Sequence, residues 1–168
     1  MQKSKHYLPF VVIMCISSLI GCSKKSMKQT SGSMEPTIKR GEVVSVDLSA
    51  YTNVSPDRWD VIVFKSPIPD TGNWLGRIVG LPGETIEIRD GGVIIDGREA
   101  KLPSHVRISP YEIPKKEVAS AAPGPISFPY TIPAGRYFIL GDNVSNSLDS
   151  RYWGGLDRSK ILGKVSGK

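Results

Sequence analysis

The sequence predicts an all-β domain of mostly antiparallel strands that partly close on themselves. Two observations point there. Short β-branched runs recur along the chain and end at turn residues, and glycine (17) and proline (13) are both frequent. A length of 168 residues suits one such domain with a real core. Hydrophobic content (39%) and charged content (23%) are ordinary for a globular chain.

The N-terminus reads as a membrane address. Residues 1–6 are basic, and Tyr7 to Ile20 is apolar apart from Ser17 and Ser18. As a helix that run covers about 21 Å, at ~1.5 Å per residue. A hydrocarbon core is about 30 Å thick, and Pro9 lies inside the run, so it is short for a span. A charged start, a short apolar stretch and a small residue before a break describe a secretory signal. Leu19-Ile20-Gly21-Cys22 resembles the lipobox of bacterial lipoproteins, which implies lipidation at Cys22 and removal of residues 1–21. The alternative is a short transmembrane anchor with an incidental cysteine. Both place the rest of the chain outside the cytoplasm and close to membrane lipid. Polar residues 23–30 then read as a tether.

Strands follow in order. Val43–Asp47 comes after Gly41, and Asp60–Lys65 ends before Ser66-Pro67. Leu75–Val79 ends at Gly80-Leu81-Pro82-Gly83. Thr85–Ile88 ends at Arg89-Asp90-Gly91-Gly92, and Val93–Ile95 ends at Asp96-Gly97, two hairpin signals. Tyr137–Leu140 ends at Gly141-Asp142, and Ile161–Val165 closes the domain, which spans 31–168. Residues 103–133 differ. Seven prolines fall there, and the stretch reads as a long excursion from the core.

Charge and composition narrow the function. The net charge is +6, yet no Lys/Arg block exceeds a pair and no aromatics alternate with basic residues, which argues against nucleic-acid binding. A basic surface near anionic lipid is the better use of the charge. Cys15 and Cys22 are the two cysteines, and His6 and His105 the two histidines. No disulfide framework, metal site or cofactor site is expected from so few ligands.

Three stretches carry chemistry: Ser31-Gly32-Ser33-Met34-Glu35-Pro36-Thr37, Arg77-Ile78-Val79-Gly80-Leu81-Pro82-Gly83-Glu84, and Gly141-Asp142-Asn143 leading to Ser147-Leu148-Asp149-Ser150-Arg151. In sequence and order they resemble the conserved boxes of the type I signal peptidases, and Arg40-Gly41-Glu42-Val43-Val44 resembles the remaining box. The resemblance implies an antiparallel β fold and a serine endopeptidase that removes signal peptides from exported pre-proteins, cleaving after small residues. It implies Ser33 as nucleophile, with an oxyanion hole formed by the Ser33 amide and the Ser31 hydroxyl. Such donors are each worth roughly 3 kcal/mol of barrier. Ser147 corresponds to the serine that orients the base, Asp149 and Arg151 to an ion pair that shapes the site, and Asp142 to a further supporting residue. Met34, Ile38 and Leu75 fall at positions matching apolar walls of the substrate pockets.

One position departs from the family. A serine hydroxyl needs a base, and the family supplies a lysine whose amine is kept neutral by burial. The lysine position here is Gly76. Arg77 cannot replace it, because a guanidinium does not deprotonate in proteins. Lys65, at the end of the preceding strand, could reach through the space the glycine leaves. His105 in the excursion is a second surrogate. Rival readings are a peptide-binding homologue that has lost catalysis and a narrow-purpose peptidase of the same superfamily, such as one that matures pilin.

Overall fold

The computed structural model describes residues 23–104, 106, 110–112 and 124–167. The lipobox cysteine Cys22 and the surrogate His105 lie outside the described residues. Eleven strands form among the described residues: β1 (Lys24–Lys28), β2 (Val43–Asp47), β3 (Val61–Lys65), β4 (Asn73–Gly80), β5 (Thr85–Arg89), β6 (Gly92–Ile95), β7 (Arg98–Glu99), β8 (Tyr130–Thr131), β9 (Arg136–Leu140), β10 (Leu156–Asp157) and β11 (Ile161–Val165). A four-residue helix, α1 (Ser150–Trp153), is capped by the Asp149 side chain.

The strands make two antiparallel sheets, so the expected all-β class is what forms. One sheet has seven strands in the order β1-β2-β11-β3-β4-β9-β10, and the other has four in the order β7-β6-β5-β8. The β5–β6 turn puts Asp90 at φ 52° and Gly91 at φ 78°. Both central residues therefore lie in the left-handed region, as the tightest hairpin turns require. Among the described residues no helix is long and apolar enough to cross a membrane.

The middle strands of the larger sheet, β3, β4 and β9, are buried on both faces. In the β3–β4 hairpin Val61, Val63 and Lys65 oppose Arg77, Leu75 and Asn73, while Ile62 and Phe64 oppose Gly76 and Trp74. Side chains alternate along a strand, so Leu75 and Gly76 face opposite ways. Leu75 packs with Met34, Ile38, Val44, Val46, Val61, Val63 and Val165. On the other face Ile62, Phe64 and Ile78 pack with Tyr137, Ile139, Leu156 and Ile161. A third cluster, with Val79, Ile86, Phe138 and Tyr111, includes residues of the smaller sheet.

Residues 23–30 are a correction to the expected tether. Lys24–Lys28 pairs with β2 from Lys24↔Asp47 to Lys28↔Val43 and forms the edge of the sheet. Met27 packs on the core while the lysines stay exposed. A single apolar residue among lysines and serine leaves no period to read, so the pairing comes from β2 rather than from local preference. The sheet thus starts two residues after Cys22.

Candidate active site

Three separate parts of the chain meet in one cleft of about 280 Å³. Gln29, Thr30, Ser31 and Ser33 line one side. Asn73, Trp74, Leu75 and Gly76 of β4 line another, and the end of β9 with Ser147 and Asp149 closes it. The cleft exists because β9 stops short. It pairs with β4 at Arg77↔Leu140 and beyond, then turns away at Gly141. Residues 73–76 are left paired to β3 on one side, and among the described residues no strand pairs with them on the other. An open edge presents backbone donors and acceptors to any extended peptide.

The turn after β9 holds the Ser33 loop in place. Asn143 donates through its backbone N–H to the Ser33 carbonyl (2.9 Å) and through Nδ2 to the Gly32 carbonyl (3.0 Å). The Asp142 carboxylate accepts from the Thr37 hydroxyl. That carboxylate also takes a two-pronged grip from Arg77, Nε to Oδ1 at 2.8 Å and Nη2 to Oδ2 at 2.6 Å, and both side chains are fully buried. Arg77 Nη1 reaches on to the Trp59 carbonyl at 2.8 Å. A buried pair of this kind must be complete, because removing one partner strands a charge at a cost of about 3–5 kcal/mol. Thr37, Asn143 and the partnership of Arg77 escaped the sequence reading. Arg77 and Asp142 are far apart in the chain, and a lone arginine in a strand carries no sign of its partner.

The second ion pair behaves alike. Asp149 accepts from Arg151 Nε (2.8 Å) and Nη2 (2.9 Å) and from the Gly141 N–H (3.1 Å). Arg151 also donates to the carbonyls of Val144 (2.9 Å) and Glu112 (3.0 Å), so it ties the start of the excursion to the site. The Ile126 N–H bonds back to the Arg151 carbonyl. Tyr111 sits close to both pairs, and burial holds its phenol well above the usual range.

Ser33 is half-buried at the cleft wall. Its Oγ lies 3.1 Å from Ser31 Oγ, and Gln29 Nε2 donates to it at 3.4 Å. Gln29 is itself buried, a polar residue beside the nucleophile candidate that the sequence did not single out. The Ser33 N–H donates to Ser31 Oγ at 3.5 Å, so the amide and that hydroxyl lie side by side. A Cβ built on Gly141 would collide with Ser147 Oγ and come within 2.7 Å of the Ser33 carbonyl oxygen. Glycine is therefore what lets Ser147 and the Ser33 backbone approach one another.

Of the remaining expected residues, Leu75 lines the cleft, while Met34 and Ile38 are completely buried in the core beneath it. Lys65 stands elsewhere. It is exposed, opposite Asn73, on the face of the β3–β4 hairpin away from Gly76, and it is not in the cleft wall. The route through the glycine's space is also filled. A Cβ at Gly76 would overlap Ile139 Cγ2 and lie 3.2 Å from Phe64 Cε1.

Several known proteins are similar to this chain. A profile described as signal peptidase, peptidase S26, matches residues 4–167. Signal peptidase I V of Bacillus subtilis is 28% identical, with 80% of this chain aligned to 79% of that protein. Signal peptidase I of Pseudomonas aeruginosa is 31% identical, with 90% of this chain aligned to 62% of that protein. Signal peptidase IB of Staphylococcus aureus is 30% identical over 80% of this chain and 71% of its own length. A crystal structure of a signal peptidase I from Enterococcus faecalis aligns at 29% identity over 67% of this chain and 97% of that one, with a TM-score of 0.46.

Proposed function

Since the chain belongs to the signal peptidase family, peptidase S26, it is a peptidase of the signal peptidase I kind, and we propose that Ser33 is its nucleophile. The reading is supported by one observation above others. Ser31, Ser33, Ser147 and Asp149, drawn from opposite ends of the domain, border a single cleft whose other wall is an open strand edge. An extended segment of a pre-protein hydrogen-bonds along residues 73–76 and presents its scissile carbonyl to Ser33. The Ser33 amide and the Ser31 hydroxyl receive the negative charge that develops on the carbonyl oxygen. Ser147 and the Asp149–Arg151 pair hold the far wall rigid, and Asp142 with Arg77 fixes the loop that carries Ser33. Leu75, with Met34 and Ile38 buried behind it, gives that part of the cleft an apolar lining, which suits small apolar side chains at the cleavage site.

The test is cleavage of a synthetic signal-peptide segment by the full-length protein in detergent micelles. Cleavage is expected after an alanine that is preceded by another small residue two positions earlier, and replacing the first alanine by phenylalanine should stop it. Equal cleavage of both peptides would overturn the reading.

Attachment to the membrane belongs to the same proposal. Cys22 carries lipid, residues 1–21 are removed, and the domain works on the extracytoplasmic face. The support is the short apolar run ending in Leu-Ile-Gly-Cys. Intact mass of the membrane-extracted protein is expected to show a chain starting at Cys22 plus acyl mass. The unmodified full-length mass would instead mark residues 7–20 as a retained anchor.

A further inference from the structure

The described residues of the cleft wall include one ionisable side chain, Asp149. Both oxygens of its carboxylate are already engaged, Oδ1 by Arg151 Nε and Oδ2 by Arg151 Nη2 and the Gly141 N–H. The immediate polar neighbours of the Ser33 hydroxyl are the Ser31 hydroxyl and the Gln29 amide, neither of which takes up a proton near neutral pH. The cleft has the room and the lining that a base would need. Its volume of about 280 Å³ is many times the roughly 30 Å³ share of a water molecule. Phe64, Ile139, Leu140 and Gly76 contribute apolar lining to the cleft, and Ser33 and Ser147 line the same cleft.

We propose that this cleft binds a primary amine, the side chain of a lysine in the polypeptide being cleaved, and that this amine serves Ser33 as general base. The proposal rests on the peptidase reading above. A lysine amine in water has a pKa of about 10.4. Moving it against the apolar wall disfavours the ammonium and leaves the neutral form with a lone pair. That lone pair takes the Ser33 hydroxyl proton as Oγ bonds to the scissile carbonyl carbon, and the carbonyl electrons move onto oxygen. When the tetrahedral intermediate collapses, the C–N bond breaks and the ammonium returns its proton to the departing amine. The lysine lies on the acyl side of the scissile bond and so stays bound after the leaving segment departs. Water then attacks the acyl carbon, the same amine takes its proton, and that proton passes to Ser33 Oγ as the ester C–O bond breaks. The substrate class follows: signal segments with a lysine placed to enter the recess beside Gly76.

The experiment uses the full-length protein in detergent micelles and an acetylated small-residue peptide without lysine or histidine. A second set carries one lysine, walked through the positions flanking the scissile bond. Propylamine is the probe, and triethylamine, of similar basicity but too branched to enter, is the control. General-base assistance is worth about 10² to 10⁴ in rate, so propylamine is expected to return about tenfold or more. The gain should saturate and follow the neutral amine as pH rises, while triethylamine leaves the rate unchanged. One or two lysine positions should give the fast rate with no added amine. If propylamine accelerates every peptide and no lysine position is self-sufficient, the substrate is overturned as the source. A lysine-free peptide cleaved at a rate indifferent to amine, with a plateau near neutral pH, overturns the amine site, because the chain then holds its own base. If no peptide is cleaved under any condition, the Gly76→Lys/Ile139→Ala protein separates the two readings. Cleavage by that variant overturns the amine site alone, and its inactivity with an unchanged melting curve overturns the peptidase reading as well.

Discussion

Replacing Ser33 by alanine is expected to lower peptide cleavage by about 10³-fold or more, the scale on which serine nucleophiles are lost. Stability should change by no more than about 0.5 kcal/mol, because the hydroxyl is half-buried and its two side-chain contacts are long, 3.1 and 3.4 Å. The backbone bond from Asn143 to the Ser33 carbonyl survives the change, so the loop keeps its place. A rate assay beside a melting curve checks both halves. An unchanged rate would move the nucleophile to Ser31 or Ser147, the other cleft-lining serines among the described residues. A large drop in melting temperature would mean that the hydroxyl serves the fold.

Gly76 carries the second large effect. Gly76→Lys alone is expected to destabilise the domain by about 1–3 kcal/mol, because the new Cβ overlaps Ile139 Cγ2 and crowds Phe64. Its rate should gain little, since a lysine forced aside does not meet Ser33. Gly76→Lys with Ile139→Ala removes the collision and gives the lysine stem an apolar bed. That double variant is expected to cleave about 10² to 10⁴ times faster than the parent and to lose any response to added amine. Rates and melting curves of the two variants decide it. If the single variant is as stable as the parent and fast, Ile139 gives way freely. If the double variant folds and gains nothing, position 76 does not deliver an amine to Ser33.

Much of this molecule is readable before any fold is known. The β2, β3, β4, β5, β6, β9 and β11 strands are signalled by short β-branched runs, and their ends by Gly-Asp, Gly-Gly and Pro-Gly dipeptides. Both are local signals, since they depend on one residue's backbone freedom and on side-chain alternation. The Ser31–Ser33 pair and the Ser147–Arg151 stretch are also local, and the roles expected of them come from the family resemblance those stretches carry. Glycine at position 76 is equally plain as a letter.

What only the tertiary structure decided is how these pieces face one another. Lys65 is separated from Gly76 by the β3–β4 register, which pairs Ile62 with Gly76 and turns Lys65 to the opposite face. Alternation within one strand is local, but the face a strand shares with its neighbour depends on register, and a slip of one residue would reverse it. The edge strand β1 forms because β2 is there to accept it, and its own letters carry no strand pattern. Arg77 finds Asp142 only after β4 and β9 pair, and Ile139 fills the space beside Gly76 by the same pairing. Contacts between residues distant in the chain are set by packing and burial of the whole sheet, so no window of sequence contains them.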